Sequence, residues 1–403
     1  GLVGSEMCIR DRRDRGDSLM TKDNIFEIAE RYGTPMYAFD IKELRERTAN
    51  IKKILGKNCE LCYAMKANPF LIGFLSDIVD SYEVCSKGEY EICKRNKIQL
   101  NKIVFSGVNK EEQEIKEISG NFNGVITIES LRQLRLVEKY KWKHKPQLML
   151  RLTNGSQFGL DESDIEKIVS EKNPDYHIIA IQYYSGTQKR KTEKLKEEVH
   201  YLVGFCEKIN LKYAANIRKI EYGPGLFVEY FNEVYDDYFE IKELSCILNE
   251  YSNKYNFTIE LGRYLAATCG IYISKAVDIK KNKNINYAIL DGGIHHISYY
   301  GQMVGIKVPL VKQYSPESNS KKNKREKWNL CGSLCTMKDV LIKGYQGCVN
   351  EGDLFVFLRC GAYSVTETGY LFLSRDMPAV VIMDLDGSVH LLREKIHTYE
   401  LNM

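Results

Sequence analysis

Residues 60–69 read ELCYAMKANP and give the strongest local indication of the fold. The apolar run to Met65 predicts a short buried strand, and Asn68-Pro69 ends it because proline disfavours helical geometry in the residue before it. Lys66 therefore lies where a buried strand opens into a loop. A lysine there can be desolvated enough to lower its pKa, as a Schiff-base amine requires; the alternative is a surface lysine beside a turn.

The pattern of residues 60–69 recurs along the first two thirds of the chain. Apolar runs occur at residues 60–65, 82–85, 102–105, 124–128, 147–152, 177–184, 218–222 and 256–260. Helical patterns separate them, among them residues 88–95, 110–118, 130–140, 162–169, 192–208 and 232–251. Strands that alternate with helices in this way predict a (β/α)8 TIM barrel. An open doubly wound sheet is the competitor, but no GxGxxG follows an early strand.

After about residue 270 the period changes to strands with short turns. Residues 272–279, 287–290, 303–308, 354–358, 379–383 and 389–393 read as strands. We therefore expect an α/β barrel plus a second, mostly β domain of Greek-key or sandwich-like form. Residues 315–327 are strongly charged and predict a solvated loop. The expected division is residues 20–37 joining the β domain, 38–270 forming the barrel and 271–403 forming the β domain.

The first nineteen residues lack the apolar core of a signal peptide and the periodicity of a helix. Residues 1–11, GLVGSEMCIRD, resemble translated sequencing-adapter read-through. We interpret residues 1–19 as a non-native leader and Met20 as the start.

Composition narrows the class of protein. The chain has 403 residues, 28% charged, with a formal net charge of +4 and no evident basic face, so nucleic acid is not an expected partner. No apolar run reaches transmembrane length. The twelve cysteines are scattered, which favours a reducing cytoplasm. Cys59 and Cys62 form one CxxC, but no second pair follows at zinc-ribbon spacing, so no metal is expected.

Function in a (β/α)8 barrel gathers at the carboxyl ends of the strands. The residues at those ends are Lys66, Ser86, Glu89, Arg151, Tyr184, Thr187, Gly223, Gly225, Glu260, Gly262 and Arg263. They comprise an amine, two carboxylates, two arginines, hydroxyls and a glycine turn. Glycine amides and an arginine suit a phosphate, and the lysine suits a carbonyl. Pyridoxal 5'-phosphate (PLP) fits all three features.

Five motifs resemble those of the fold-type III PLP-dependent decarboxylases, the group of the diaminopimelate, ornithine and arginine decarboxylases with the alanine racemase-like fold. They are residues 63–68 (YAMKAN), 84–89 (VCSKGE), 260–263 (ELGR), 332–339 (GSLCTMKD) and 360–363 (CGAY). The resemblance runs from about residue 32 to about residue 378, with the motifs in the family's order.

The resemblance implies a role for each matching residue. Lys66 would form the Schiff base with PLP, and Glu260 would keep the pyridine nitrogen protonated. Arg151 would lie near the phenolic oxygen of the ring. Cys335 would come from the partner subunit and protonate the product carbanion, so that a homodimer shares its active sites; the alternative for Cys335 is a small buried apolar residue. The phosphate would be held by Arg263, Tyr363 and the turn at residues 223–225.

The acidic partner at the pyridine nitrogen has a chemical consequence. It makes the ring a strong electron sink, which loss of a carboxylate demands and a racemase does not. Glu260 therefore favours decarboxylation.

Several positions depart from the family pattern. Tyr184 stands where a histidine usually stacks on the cofactor, and Gln182 replaces an earlier histidine. The residue after Cys335 is Thr336, whereas diaminopimelate decarboxylases have a glutamate there that binds the distal amine of the substrate. Residues 291–298, DGGIHHIS, lack the arginine that helps to bind the distal carboxylate. The last two changes remove charges that free diaminopimelate would need.

One branch of the family matches better, namely the decarboxylases of butirosin-type biosynthesis that act on a glutamyl group carried by an acyl carrier protein. The matching stretches are residues 157–163, 184–188, 291–296 and 334–336. We expect substrate contacts from Thr336, Asp339, His295 and His296, with a structural role as the alternative for the two histidines. A metal at the two histidines is not expected, because neighbours on a turn point apart and no third ligand is evident.

The sequence thus predicts a PLP-dependent α-decarboxylase of a carrier-linked or otherwise modified amino acid in specialised metabolism, with an acyl carrier protein as a partner. The alternatives are a diaminopimelate decarboxylase of lysine biosynthesis and a non-catalytic homologue that regulates an active subunit.

Overall fold

A computed structural model describes residues 21–316 and 325–403. These residues form two compact units. The barrel unit comprises Arg45–Glu229 and Tyr235–Leu265, and the β unit comprises the described residues up to Leu44, Tyr230–Val234 and Ala266–Met403. The predicted leader, residues 1–19, lies outside the described residues.

The strands are β1 (Met36–Asp40), β2 (Cys59–Ala64), β3 (Ser81–Val84), β4 (Ile103–Phe105), β5 (Val125–Ile128), β6 (Gln147–Arg151), β7 (His177–Tyr184), β8 (Lys219–Gly223), β9 (Asn256–Leu261), β10 (Gly270–Asn282), β11 (Ile285–Leu290), β12 (Val311–Tyr314), β13 (Glu326–Cys331), β14 (Val340–Gly347), β15 (Leu354–Phe357), β16 (Ala379–Met383) and β17 (Val389–Arg393). The α-helices are α1 (Lys22–Tyr32), α2 (Ile41–Leu55), α3 (Lys87–Arg95), α4 (Glu112–Ile118), α5 (Leu131–Lys139), α6 (Glu162–Glu171), α7 (Thr192–Tyr213), α8 (Phe239–Asn249) and α9 (Arg263–Ala266).

Strands β2 to β9 form a closed barrel in chain order, and every neighbouring pair is parallel. The predicted (β/α)8 barrel is confirmed, each strand end lying within one residue of its expected place, and the doubly wound alternative is wrong. Cys62, Val104, Met149 and Ala180 form one buried cluster. Since they come from strands that are not all neighbours, they meet inside the barrel, as the layered packing of this fold requires.

The β unit is built on a mixed nine-stranded sheet. Its order is β14-β13-β11-β10-β1-β16-β17, with β15 pairing with both β10 and β12. A mostly β second domain is therefore confirmed. Strand β1 lies between β10 and β16, antiparallel to the first and parallel to the second. Its Met36 and Ala38 pack with Ile25 and Ile28 of α1, which binds the N-terminal segment to this sheet.

Three details of the β unit differ from expectation. Residues 303–308 are turns and not a strand, because the Met303 carbonyl accepts from Ile306 and Lys307 around Gly305, whose φ is +80°. Strands β12, β13 and β14 were not expected. Glu326 and Lys327, expected in a solvated loop, begin β13. Their charges do not prevent pairing, since both residues are exposed.

In the part of the chain that the structure describes, none of the helices combines the length and the apolar character needed to cross a membrane. The barrel matters most for the site, because its parallel strands bring all their carboxyl ends to one rim.

Candidate active site

Lys66 lies in a single 3-10 turn, Met65–Ala67, directly after β2. The Asn68 side chain accepts from the Phe70 backbone N–H and caps the next 3-10 helix, Pro69–Phe74. This is why the strand ends abruptly and leaves the lysine at the barrel rim. The Lys66 Nζ donates to Glu83 Oε2 at 2.6 Å and to Glu260 Oε1 at 3.4 Å. Its side chain is 39% exposed, whereas those of the two carboxylates are 2% and 6% exposed.

The two carboxylates beside Lys66 differ in acidity. Burial, followed by the charge of Glu83, raises the pKa of Glu260 to about 7. Burial also opposes the ionisation of Glu83, but Lys66 and further donors overcome it and hold the pKa of Glu83 at about 2. Neighbouring carboxylates whose pKa values are pushed apart can take different roles. Near neutral pH Glu83 is a permanent anion, and Glu260 can hold a proton.

Two further buried side chains complete this cluster. Gln182 on β7 donates through Nε2 to Glu260 Oε2 at 3.2 Å, which fixes the carboxylate from the side away from Lys66. Glu221 on β8 is buried, and burial raises its pKa well above the ordinary range, followed by the charges of Glu260 and Glu83. Neither Glu83 nor Glu221 was expected at the site from the sequence. For Glu83 the signal was a carboxylate within an otherwise apolar run, residues 82–85.

Arg151, at the end of β6, is held by a carboxylate and an aromatic ring. Its Nη1 donates to Glu129 Oε2 at 2.9 Å, and its guanidinium lies 5.0 Å from the centroid of the Phe158 ring. The side chains of Arg151 and Glu129 are 12% and 2% exposed. Glu129 follows β5 and was also missed. An arginine held by a carboxylate and a ring face keeps a fixed orientation.

Glycines line the rim where two loops meet. Gly225 has φ +58°, and a Cβ there would lie 1.8 Å from the Gly186 carbonyl oxygen. A Cβ on Gly223 would lie 2.9 Å from the Tyr184 ring, and one on Gly262 would lie 3.0 Å from the Ala64 carbonyl oxygen. The loops after β7 and β8 therefore approach at backbone distance. Thr187 follows Gly186 in the first of these loops, and Arg263 begins α9 just after Gly262.

Ser86 and Glu89 cap a helix in this structure. The Ser86 hydroxyl accepts from the Glu89 backbone N–H at 3.2 Å, and the Glu89 carboxylate accepts from the Cys85 N–H at 2.6 Å. Together they begin α3 at the rim of the barrel. Burial raises the pKa of Glu89.

The remaining predicted residues belong to the β unit. Cys335 is exposed, and Thr336 beside it is half-buried. The Asp339 carboxylate is buried and accepts from the backbone N–H groups of Ile294 and Leu334, which ties two turns together. In this structure its contacts are therefore to backbone. Tyr363 is half-buried at φ +65°.

His295 and His296 do not point apart as expected; their ring centroids are 3.7 Å apart. His296 bonds to the Tyr272 hydroxyl and the Asp376 carbonyl, while both ring nitrogens of His295 are buried without a hydrogen-bond partner. Burial lowers the pKa of both, to about 4 for His295 and about 3 for His296. Both line a cavity of about 330 Å³ in the β unit. Among the described residues there is no group of three or more His, Cys, Asp or Glu side chains that could hold a metal ion.

The functional groups at the rim of the barrel match those that PLP needs. The rim offers a partly exposed amine, a buried carboxylate able to hold a proton and a junction of two loops at which Gly223 and Gly225 leave no room for a Cβ. These features suit an aldehyde, a pyridine nitrogen and a phosphate, respectively. Fold and site together define a PLP-dependent enzyme built on a (β/α)8 barrel.

Comparison with known proteins gives the family. Residues 41–267 match the pyridoxal-binding domain of the pyridoxal-dependent decarboxylases, and the chain belongs to this family. It is a PLP-dependent decarboxylase, and its cofactor is PLP.

Two curated relatives and one solved structure illustrate the range of the family. The chain is 25% identical to the L-glutamyl-(BtrI acyl-carrier protein) decarboxylase of Niallia circulans, with 92% of this chain and 93% of the relative covered. It is also 25% identical to the 2-((L-alanin-3-ylcarbamoyl)methyl)-2-hydroxybutanedioate decarboxylase of Staphylococcus aureus, with 86% and 93% covered. The diaminopimelate decarboxylase of Helicobacter pylori, solved with L-lysine, shares the fold with a TM-score of 0.80, 19% identity and coverage of 94% and 98%.

Proposed function

We propose that the chain removes the α-carboxylate of a glutamyl-type amino acid carried by an acyl carrier protein, as a step of specialised metabolism. The proposed reaction is supported mainly by one observation: Lys66 lies between Glu83 and Glu260 at the barrel rim. The substrate assignment rests on the charges missing from the sequence, namely an arginine in residues 291–298 and an acidic residue at Thr336.

Each residue of the barrel rim has a distinct task in this proposal. When bound, PLP supplies the electron sink that loss of carbon dioxide needs. Lys66 anchors the cofactor and loses its proton to do so, with Glu83 as the fixed anion beside it. Glu260 would pass the proton of its carboxyl group to the pyridine nitrogen and stay beside it as a carboxylate, and Gln182 keeps that carboxylate in place. Arg151 would lie near the phenolic oxygen, with its orientation set by Glu129.

The rest of the proposed cofactor site comes from the loops around the rim of the barrel. Tyr184 would cover one face of the ring. The phosphate would be held by Thr187, Gly223, Gly225, Gly262 and Arg263, with Ser86 and Glu89 ordering the adjacent helix start.

The β unit supplies the proton donor in this proposal. Cys335 is exposed, as a thiol must be to reach the active site of a partner subunit. A homodimer with shared sites is thus the proposed active form. In this proposal Thr336, His295 and His296 lie on the substrate side of this unit, and Asp339 ties together the turns that carry them. The eleven cysteines of the described residues are all free, which supports a cytoplasmic setting.

The relatives support a carrier-linked or conjugated substrate. The Niallia circulans relative acts, by its name, on a glutamyl group attached to a carrier protein. A thioester in place of the distal carboxylate removes the need for a distal arginine, because it bears no charge. Free diaminopimelate has both a charged carboxylate and an amine at its far end, and the chain lacks the family's partners for both.

Release of carbon dioxide from a panel of substrates tests the proposal. The panel consists of glutamyl-carrier protein, free glutamate, diaminopimelate, ornithine, lysine and arginine. We expect the highest kcat/KM with glutamyl-carrier protein. The highest rate with free diaminopimelate would refute the substrate assignment and favour lysine biosynthesis.

An absorbance scan separates an enzyme from a non-catalytic homologue. A PLP–lysine linkage absorbs near ~420 nm, and we expect this band in the purified protein. Lys66→Ala should abolish it. A wild-type protein without the band and without turnover would favour the regulatory alternative.

A further inference from the structure

A second buried carboxylate, Glu198, lies behind the rim of the barrel on α7. Its side chain is 4% exposed, and it accepts from three donors on the adjoining loop and strand. The donors are the Ser185 hydroxyl at 2.5 Å, the Lys189 Nζ at 2.7 Å and the Tyr222 hydroxyl at 2.6 Å. The Lys194 Nζ lies 3.8 Å away on the same helix. All these groups belong to the barrel unit.

The three donors to Glu198 lie on the loop after β7 and on strand β8. Ser185 and Lys189 lie on either side of Gly186 and Thr187 in the loop between β7 and α7, which we call the first phosphate loop. Tyr222 lies on β8 immediately before the glycine turn at residues 223–225, the second phosphate loop. One carboxylate therefore ties the first phosphate loop, at two points, to the strand that leads into the second.

Backbone bonds continue the connection between these loops. The Lys189 N–H donates to the Gly225 carbonyl at 2.9 Å, and the Phe227 N–H donates to the Lys189 carbonyl at 3.1 Å. Since the loops also touch at Gly186 and Gly225, a small shift of Lys189 moves both. Their amides can hold a phosphate only while the two loops keep this spacing.

The charges within the cluster favour a fixed geometry. Burial lowers the pKa of Lys189, and its bond to Glu198 opposes that shift. Burial also raises the pKa of Tyr222 well above its usual range, so the phenol stays a donor. Replacing the carboxylate by a neutral amide would leave one acceptor oxygen for three donors and a buried ammonium without its counter-charge, and both loops would rearrange to solvate these groups.

We propose that Glu198 is a positioning residue for the phosphate of the cofactor, acting through Ser185, Lys189 and Tyr222. This inference rests on the proposed cofactor site and assigns to α7 a role that the sequence did not indicate. Glu198 does not touch the cofactor; it sets the distance between the two loops that do. Its loss should therefore weaken binding of the phosphate group selectively.

The test compares two probes on Glu198→Gln. Full-length protein freed of cofactor is titrated with PLP and, separately, with pyridoxal, which lacks the phosphate. We expect the Kd for PLP to rise about tenfold or more, in the range that loss of an outer-shell hydrogen bond produces at metal sites. The Kd for pyridoxal should stay unchanged, because Lys66 and Glu260 are untouched. A merely structural role would weaken both probes alike.

Glu166→Gln is the matched control. The Glu166 carboxylate also accepts from several donors, namely Lys208, Lys212 and Tyr213, but on the outer faces of α6 and α7. It should leave both Kd values unchanged. If Glu198→Gln does not fold, Ser185→Ala removes one donor and should give the same selective loss on a smaller scale.

The outcomes are distinguishable. Equal effects on PLP and pyridoxal, or no effect on either, would overturn the role of Glu198 while leaving the cofactor site intact. Failure of the wild-type protein to bind PLP would instead overturn the proposed cofactor site on which the inference rests.

Discussion

Replacement of Glu260 by glutamine should stabilise the cofactor-free protein at alkaline pH while it impairs turnover. Glu260 is 8% exposed, and burial and then Glu83 raise its pKa to about 7. A carboxyl group with a raised pKa favours the protonated native state. Native stability therefore falls as pH rises from the unfolded pKa, 4.5, through the folded value of about 7. Glutamine is neutral, can still accept from Gln182 and has no such penalty.

The size of this effect on the free energy of unfolding follows from the raised pKa of Glu260. Linkage gives a penalty of roughly 1 kcal/mol at about pH 5.5 and roughly 3 kcal/mol at about pH 8.5. The advantage of Glu260→Gln over the wild type should therefore grow by about 2 kcal/mol across this interval. Glu83 contributes in the opposite sense, because its pKa is lowered to about 2 and its stabilisation is lost only at acid pH. It stays constant over the interval.

Urea unfolding of cofactor-free protein at the two pH values measures this difference. The control is Glu166→Gln, since lysine partners lower the pKa of Glu166 and its removal should destabilise at both pH values. An advantage of Glu260→Gln that does not change with pH would refute the reasoning, because it would mean that ionisation of Glu260 is not linked to folding. In the loaded enzyme, kcat should fall by about 100-fold or more, as expected when a group that holds an essential proton is lost.

Three further changes test the site. Cys335→Ala should retain the ~420 nm band but lose about 100-fold or more in kcat, the usual contribution of a general acid; unchanged turnover would contradict its role as proton donor. Gly225→Ala should destabilise the protein by about 2–4 kcal/mol in urea unfolding, since it adds strain at positive φ to an overlap with the Gly186 carbonyl; a neutral effect would show that the loops can separate. Glu129→Gln should leave folding nearly intact yet weaken PLP binding, measured by titration, because Arg151 loses the carboxylate that orients it; unchanged affinity would show that Phe158 suffices.

The barrel could be predicted because its strands are buried on both faces. Such strands read as short apolar runs, and the amphipathic helices between them have a different period, so each boundary is visible in the sequence. The β unit was harder to predict. Residues 303–308 are as apolar as a strand, but Gly305 turns the chain, and strand β13 begins with two charged residues whose pairing depends on β11 and β14.

The candidate site shows a similar division. Lys66, Arg151 and Glu260 could be selected because they stand at strand ends, where parallel strands share one rim. Glu83, within an apolar run, and Glu129, directly after β5, do carry a local signal, but their partners Lys66 and Arg151 lie at the ends of other strands. Glu198 acts from a helix and carries no such signal. Such pairs are far apart in sequence, and no local pattern records which carboxylate faces which amine.

The sequence by itself determined the succession of strands and helices, the position of Lys66 at a strand end and the resemblance to a decarboxylase family. These properties are local, because they depend on apolar periodicity, on proline and glycine, and on short motifs. Only the tertiary structure decided which carboxylate stays ionised beside Lys66, which one holds a proton, and how Glu198 joins the two phosphate loops. The reason is physical: acidity and loop spacing depend on burial and on neighbours that closure of the barrel brings together.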